Sequence, residues 1–154
     1  MGTGIVLETQ EDLARHWNGR HTADGWIIDP KTGQDKPAEP HIMAFIGHYG
    51  FQIKRVLDAG CGPGRHTISL ARLKRNVTGV DISSVAIEQA RQRLEARGLD
   101  PNIVEVGDLC SLRFADREFD TIVCAQVMGH MPSWATAKQA FGQFGRVLGA
   151  NGLL

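Results

Sequence analysis

The chain has 154 residues, 42% of them hydrophobic, with 17 basic residues balanced by 17 acidic ones. That length suits one domain with a real core. Zero net charge disfavours a nucleic-acid substrate, which asks for a basic excess.

Taken in chain order, residues 1–54 read as one segment and 55–154 as another. In the first, Glu8 to Trp17 predicts a short helix, and Asn18 to Pro40 a turn-rich loop in which Trp26, Ile27 and Ile28 need burial. His41 to Gly50 reads as a second helix. From Arg55 the pattern turns regular. Arg55–Ala59 predicts a buried strand, Gly64–Lys74 a helix, and Asn76–Ile82 a second strand. Ser83–Gly98 predicts a helix with Ile87, Ala90, Arg91 and Leu94 at helical spacing, serine at its start and glycine past its end. Asn102–Asp108 alternates as a third strand, and Phe119–Gln126 is a nearly continuous apolar fourth. Ser133–Gly149 reads as a helix despite Gly142 and Gly145, and Ala150–Leu154 starts a fifth strand. Strands alternating with helices predict an α/β fold: a doubly wound, mostly parallel open sheet preceded by a helix-and-loop lid.

Three cysteines, Cys61, Cys110 and Cys124, lack C-x-x-C spacing, which disfavours a disulfide framework or zinc site and suits a reducing cytoplasm. The amino-terminal stretch lacks the basic-then-apolar pattern of a signal peptide. Val6 stands where a myristoylation signal needs Ser or Thr, and no apolar run is long enough for a membrane span.

The densest signal is "AGCGPG", between the first core strand and its helix, with Gly60, Gly62 and Gly64 at alternate positions. In an open parallel sheet this is the ligand end. Glycines there permit a tight turn and close approach of a ligand, and a helix amino-terminus adds unpaired N–H groups. A dinucleotide loop asks for G-x-G-x-x-G. Here the third glycine comes one position early, and Asp58 precedes the loop, where a carboxylate would repel a pyrophosphate. A cationic nucleoside ligand fits better. Read singly, Asp81 also suits a helix cap, Asp108 a surface turn and Asp120 a strand entry. Jointly, a glycine loop after strand one and acids after strands two and three adjoin one crevice.

On these residues the chain resembles the class I S-adenosylmethionine-dependent methyltransferases, from Arg55 to Leu154. "VLDAGCGPG" is similar to the family's first motif, which implies that Asp58, Gly60, Cys61 and Gly62 lie at the methionine part of the cofactor. "VTGVDIS" resembles the second, with Asp81 accepting from both ribose hydroxyls and Ile82 packing on adenine. "VEVGDLCSL" resembles the third, with Asp108 near the adenine amino group and the Leu109 main chain near the ring nitrogens. "FDTIVCAQVMGHMP" resembles the fourth strand and its loop, placing Gln126 beside the cofactor. "FGRVLGANGLL" resembles the turn into strand five, with Ala150-Asn151-Gly152 as the turn. The family's sheet usually has seven strands and this chain stops while entering the fifth. A fragment, or a chain whose exposed edge a homodimer or partner covers, is therefore expected.

The resemblance implies methyl transfer from S-adenosylmethionine to a small-molecule acceptor, releasing S-adenosylhomocysteine. The alternative is a cofactor-binding module that needs a partner or further chain to act. An NAD oxidoreductase is disfavoured by the glycine spacing. His130, on the loop after strand four, is the one candidate general base, with loop shaping as its alternative role. Arg20 is expected to pair with the methionine carboxylate, and Trp17 and Trp26 to wall the acceptor pocket or simply pack. His16, His21, His41, His48 and His66 show no metal spacing and are assigned structural roles.

Overall fold

The computed structural model describes residues 9–22, 36–50 and 53–154, so Glu8, Trp26, Ile27 and Ile28 lie outside the described residues. Two helices, α1 (Gln10–Thr22) and α2 (Pro40–His48), precede a regular alternation. This runs β1 (Arg55–Ala59), α3 (Arg65–Arg72), β2 (Asn76–Asp81), α4 (Ser84–Glu95), β3 (Val104–Val106), β4 (Phe119–Val123), α5 (Trp134–Val147) and β5 (Leu148–Leu153). The five strands form one sheet in the order β3-β2-β1-β4-β5, with every pairing parallel. Order reverses beside β1, so the loop after β1 sits at the switch point, where such sheets take ligands.

Burial on both faces explains why the strands read as apolar runs rather than alternating ones. Leu57, Ala59, Val80 and Ile122 pack on one face against Ala140, Phe144 and Val147 of α5. Val56, Val77 and Val123 pack on the other against Ile46 of α2 and Leu70 of α3. Helix α4 adds Ile87, Ala90 and Leu94 against Ile68 and Val104. Asp120 is a strand-entry residue: its Oδ2 accepts from the amides of Lys54 and Arg55, at 3.1 and 2.9 Å, and pins the start of β1 to β4.

Several elements differ from expectation for local reasons. Helix α1 runs on to Thr22 because tertiary bonds hold its second half. Asn18 Oδ1 accepts from Ser83 Oγ at 2.8 Å and from the Val85 amide at 3.3 Å, while Gln89 Nε2 donates to the His21 carbonyl at 2.8 Å. The third strand shrinks to Val104–Val106 because Asp100 caps a 3₁₀ turn over Pro101–Ile103, accepting from the Asn102 amide at 2.8 Å. The fourth strand ends at Val123, and Gln126 then turns the chain with φ +59°. Helix α5 passes directly into β5, where Leu148 aligns with Phe119 and Leu153 with Thr121. Ala150-Asn151-Gly152 thus lies in a register irregularity inside β5 rather than in a turn before it. Among the described residues, β5 pairs with β4 alone.

Candidate ligand site at the carboxyl ends of the strands

The loops after β1, β2, β3 and β4 open onto one cavity of about 320 Å³. Of the sequence-predicted residues, Gly60, Cys61, Gly62, Asp81, Ile82, Asp108, Leu109, Gln126 and His130 all line it, as does Trp17. Residues 55–130 converge because every crossover is parallel, which delivers each strand's carboxyl end to the same rim.

The glycine loop is built differently from the expectation. Gly60, Gly62 and Gly64 all have positive φ, at 74°, 51° and 87°, a region costly for side chains. At Gly60 the space a Cβ would need is filled by the protein itself, 2.3 Å from Val127 Cγ2. At Gly64 a Cβ would press on Ala90 Cβ at 3.2 Å, so this glycine lets α3 approach α4. Only Gly62 is open, with His21 Cε1 the nearest atom at 3.8 Å. Close ligand approach is therefore one requirement of three.

Nor does the loop present free amides. Gly60 and Cys61 donate to the Val80 carbonyl at 2.8 and 3.0 Å, and Gly64 to the Cys61 carbonyl at 3.0 Å. Gly62 donates to Asp81 Oδ2 at 2.8 Å, and position 63 is proline. A pyrophosphate would find no N–H donor within this loop and a carboxylate already seated there.

Asp81 ends β2 with its second oxygen accepting from the Ser83 amide at 2.9 Å. Burial pushes its carboxyl up, against the opposing pull of the Ser83 and Gly62 amides. Each oxygen keeps lone-pair capacity for a ligand hydroxyl. Asp108 turns the chain after β3, its Oδ1 accepting from the Cys110 amide at 2.9 Å. Ile82 and Leu109 supply apolar walls. Two acids, two apolar walls and an open glycine suit a hydroxylated, cationic nucleoside.

Two of the expected residues are absent from the lining. Asp58 does not line the cavity; it is buried beneath the loop, with Thr67 Oγ1 donating to its Oδ2 at 2.6 Å. Burial raises its carboxyl to about 6, from 3.8. The unfolded chain then releases this proton near pH 3.8 and the folded chain near 6, so the native state binds more protons between them. Stability is therefore highest at or below pH 3.8 for this group and falls as pH rises to about 6, by at most about 3 kcal/mol. Denaturant titrations should show that part of the slope vanish in Asp58→Asn. An unchanged pH profile would sink the assignment. Arg20, the second, is exposed on α1 and absent from the lining, because the stripe facing the cavity is Leu13, Trp17 and His21.

The family model for "Methyltransferase domain" matches residues 56–152. The chain belongs to the methyltransferase domain family. The ubiquinone biosynthesis O-methyltransferase of Azoarcus sp. (strain BH72) is 30% identical over 104 residues, covering 68% of this chain and 45% of that protein. That of Paracidovorax citrulli (strain AAC00-1) is 34% identical over 131 residues, covering 84% and 52%. A solved structure concerned with conversion of a disulfide bond into a thioacetal group during echinomycin biosynthesis matches at TM-score 0.74 and 26% identity, covering 88% of this chain and 56% of that one. The chain spans about half the length of the curated relatives it matches.

Around this cavity, sequence reasoning missed several wall residues. Leu13 and His21 flank Trp17 at four-residue spacing, a helical stripe that was available as a signal. Lys36, Arg65 and His66 also line the cavity, and His66 is buried, with burial and the neighbouring Arg65 charge lowering it to about 4. Trp17 meets His130 edge to face at 5.1 Å between ring centroids. Burial first, then the charges of Asp58 and Asp81, raise the Cys61 thiol well above the ordinary value, which disfavours a nucleophilic role.

Proposed function

We propose that this methyltransferase domain binds S-adenosylmethionine in the cavity and transfers its methyl group to a small-molecule acceptor in the cytoplasm. The carrying observation is the convergence of the glycine loop, Asp81 and Asp108 on one cavity whose loop amides are already committed. That arrangement favours a cationic nucleoside over a dinucleotide. Bound, the cofactor supplies an electrophilic methyl on a sulfonium centre. Asp81 accepts from the ribose hydroxyls, Ile82 packs on one face of the adenine, the Leu109 main chain meets the ring nitrogens, Asp108 receives the amino group, and Gly60, Cys61 and Gly62 border the methionine portion. Gln126 lies at the methionine end beside Val127.

In this reading residues 1–54 act as the lid, with Leu13, Trp17 and His21 of α1 forming part of the cavity wall. With Arg20 away from the lining, Lys36 takes over its role toward the methionine carboxylate. Because the ubiquinone-pathway relatives bear O-methyltransferase names, the favoured acceptor is a hydroxyl. A hydroxyl benefits from proton removal, the role assigned to His130.

Calorimetry with S-adenosylmethionine and with NAD tests the cofactor, and tighter NAD binding would overturn the reading. Release of S-adenosylhomocysteine in the presence of phenolic acceptors tests the transfer. The second reading, a cofactor-binding module that acts only with a partner or further chain, is favoured by β5, paired on one side among the described residues. Cofactor binding without product release, for any acceptor, would select it.

A further inference from the structure

We infer that Glu39 is a positioning residue of the site, one carboxylate oxygen holding two side chains of the cavity wall in place; the inference rests on the cofactor reading above. Glu39 lies just before α2 and is not itself in the cavity lining. Its Oε1 accepts from Arg65 Nη2 at 2.9 Å and from Gln126 Nε2 at 3.0 Å. Its amide donates to His66 Nε2 at 3.2 Å. Arg65, His66 and Gln126 all line the cavity, and they come from α3 and from the loop after β4. One residue therefore ties the amino-terminal segment to the start of α3 and to the loop after β4.

The Gln126 end of this network has its own requirement. Its φ of +59° is a conformation that a residue with a side chain adopts at a cost, and such strain persists only where surroundings over-determine it. The Gln126–Glu39 bond is solvent-exposed and modest by itself, but it ties the strained residue to a carboxylate outside its own loop that the Arg65 pair holds in place. The Arg65–Glu39 pair is partly buried, with side chains 19% and 25% exposed, so water screens it less than a surface pair. The neutral imidazole of His66 keeps Nε2 free to accept the Glu39 amide at physiological pH. Glu39 thus fixes the backbone turn that aims Gln126 at the cavity, and Arg65 shares the same oxygen.

Glu39→Ala, Gln126→Gly and the double variant test this in the full chain. Glycine adopts φ +59° without penalty, so Gln126→Gly removes the need for the anchor. In ligand-free protein, Glu39→Ala should speed amide exchange over residues 124–131, and the same change in the Gln126→Gly background should add nothing. S-adenosylhomocysteine affinity should fall about tenfold in Glu39→Ala, and by less than about threefold when Glu39→Ala is added to Gln126→Gly, with the thermal midpoint nearly constant. Glu39→Gln keeps an acceptor oxygen but loses the ion pair, so it should fall between, and it carries the test if Glu39→Ala does not fold. Equal losses in both backgrounds, or unchanged exchange in Glu39→Ala, would overturn the inference. If the unaltered protein fails to bind S-adenosylhomocysteine, the cofactor reading fails, and the exchange comparison alone still decides the role of Glu39.

Discussion

Asp81→Ala should weaken S-adenosylmethionine binding by about 5- to 150-fold in calorimetry, an effect of roughly 1–3 kcal/mol. Two losses combine in that number. The ligand hydroxyls lose their acceptor, and the amides of Gly62 and Ser83 lose theirs, since both bond to this carboxylate at 2.8 and 2.9 Å. The Gly62 amide is part of the cavity wall, so the loop itself loosens when its partner goes. Asp81→Asn separates the contributions. It retains one acceptor oxygen, but its NH₂ group faces an N–H donor, so affinity should lie between that of the parent and Asp81→Ala. Affinity within twofold of the parent in Asp81→Ala would remove Asp81 from the site.

Gly60→Ala should lower stability by roughly 2–4 kcal/mol, read as a fall of about 10 °C in the thermal midpoint. The strain of φ +74° for an L residue supplies part of this loss. Overpacking against Val127 supplies the rest, because a Cβ would stand 2.3 Å from Val127 Cγ2. Val127→Ala opens that space and should recover part of the loss in the double variant, leaving the backbone strain behind. Gly142→Ala is the contrast. Gly142 lies in α5 with nothing within 4 Å of a would-be Cβ, so alanine there should raise the midpoint through helix propensity. If Gly60→Ala were tolerated as well as Gly142→Ala, the tight loop described here would be wrong.

Both expectations rest on residues whose importance was legible before any coordinates, though not their reasons. Asp81 stood at the end of an apolar run and the glycines stood after another, and strand periodicity alone placed them at one end of a parallel sheet. The structure changes what they do. Gly60 makes room for a valine 67 positions away, Gly64 for a neighbouring helix, and Asp81 binds the loop as well as facing the cavity. Asp58 shows the limit of analogy by motif: its place in "VLDAGCGPG" suggested ligand contact, whereas the fold buries it against Thr67.

By itself the sequence determined the α/β alternation, the five strands and the rim positions of Gly62, Asp81 and Asp108, because strand and helix periods and turn residues are local properties. It also determined the charge balance and the scattered thiols. Only the tertiary structure decided that α1 runs on to Thr22 and turns Trp17 rather than Arg20 to the cavity, since the bonds from Ser83, Val85 and Gln89 that hold it come from α4 and its cap. It alone decided that Glu39 reaches Arg65, His66 and Gln126, 26, 27 and 87 residues away. No local spacing encodes such contacts. They exist because the sheet's strand order brings distant loops to one rim, where side chains with no common period can share a single oxygen.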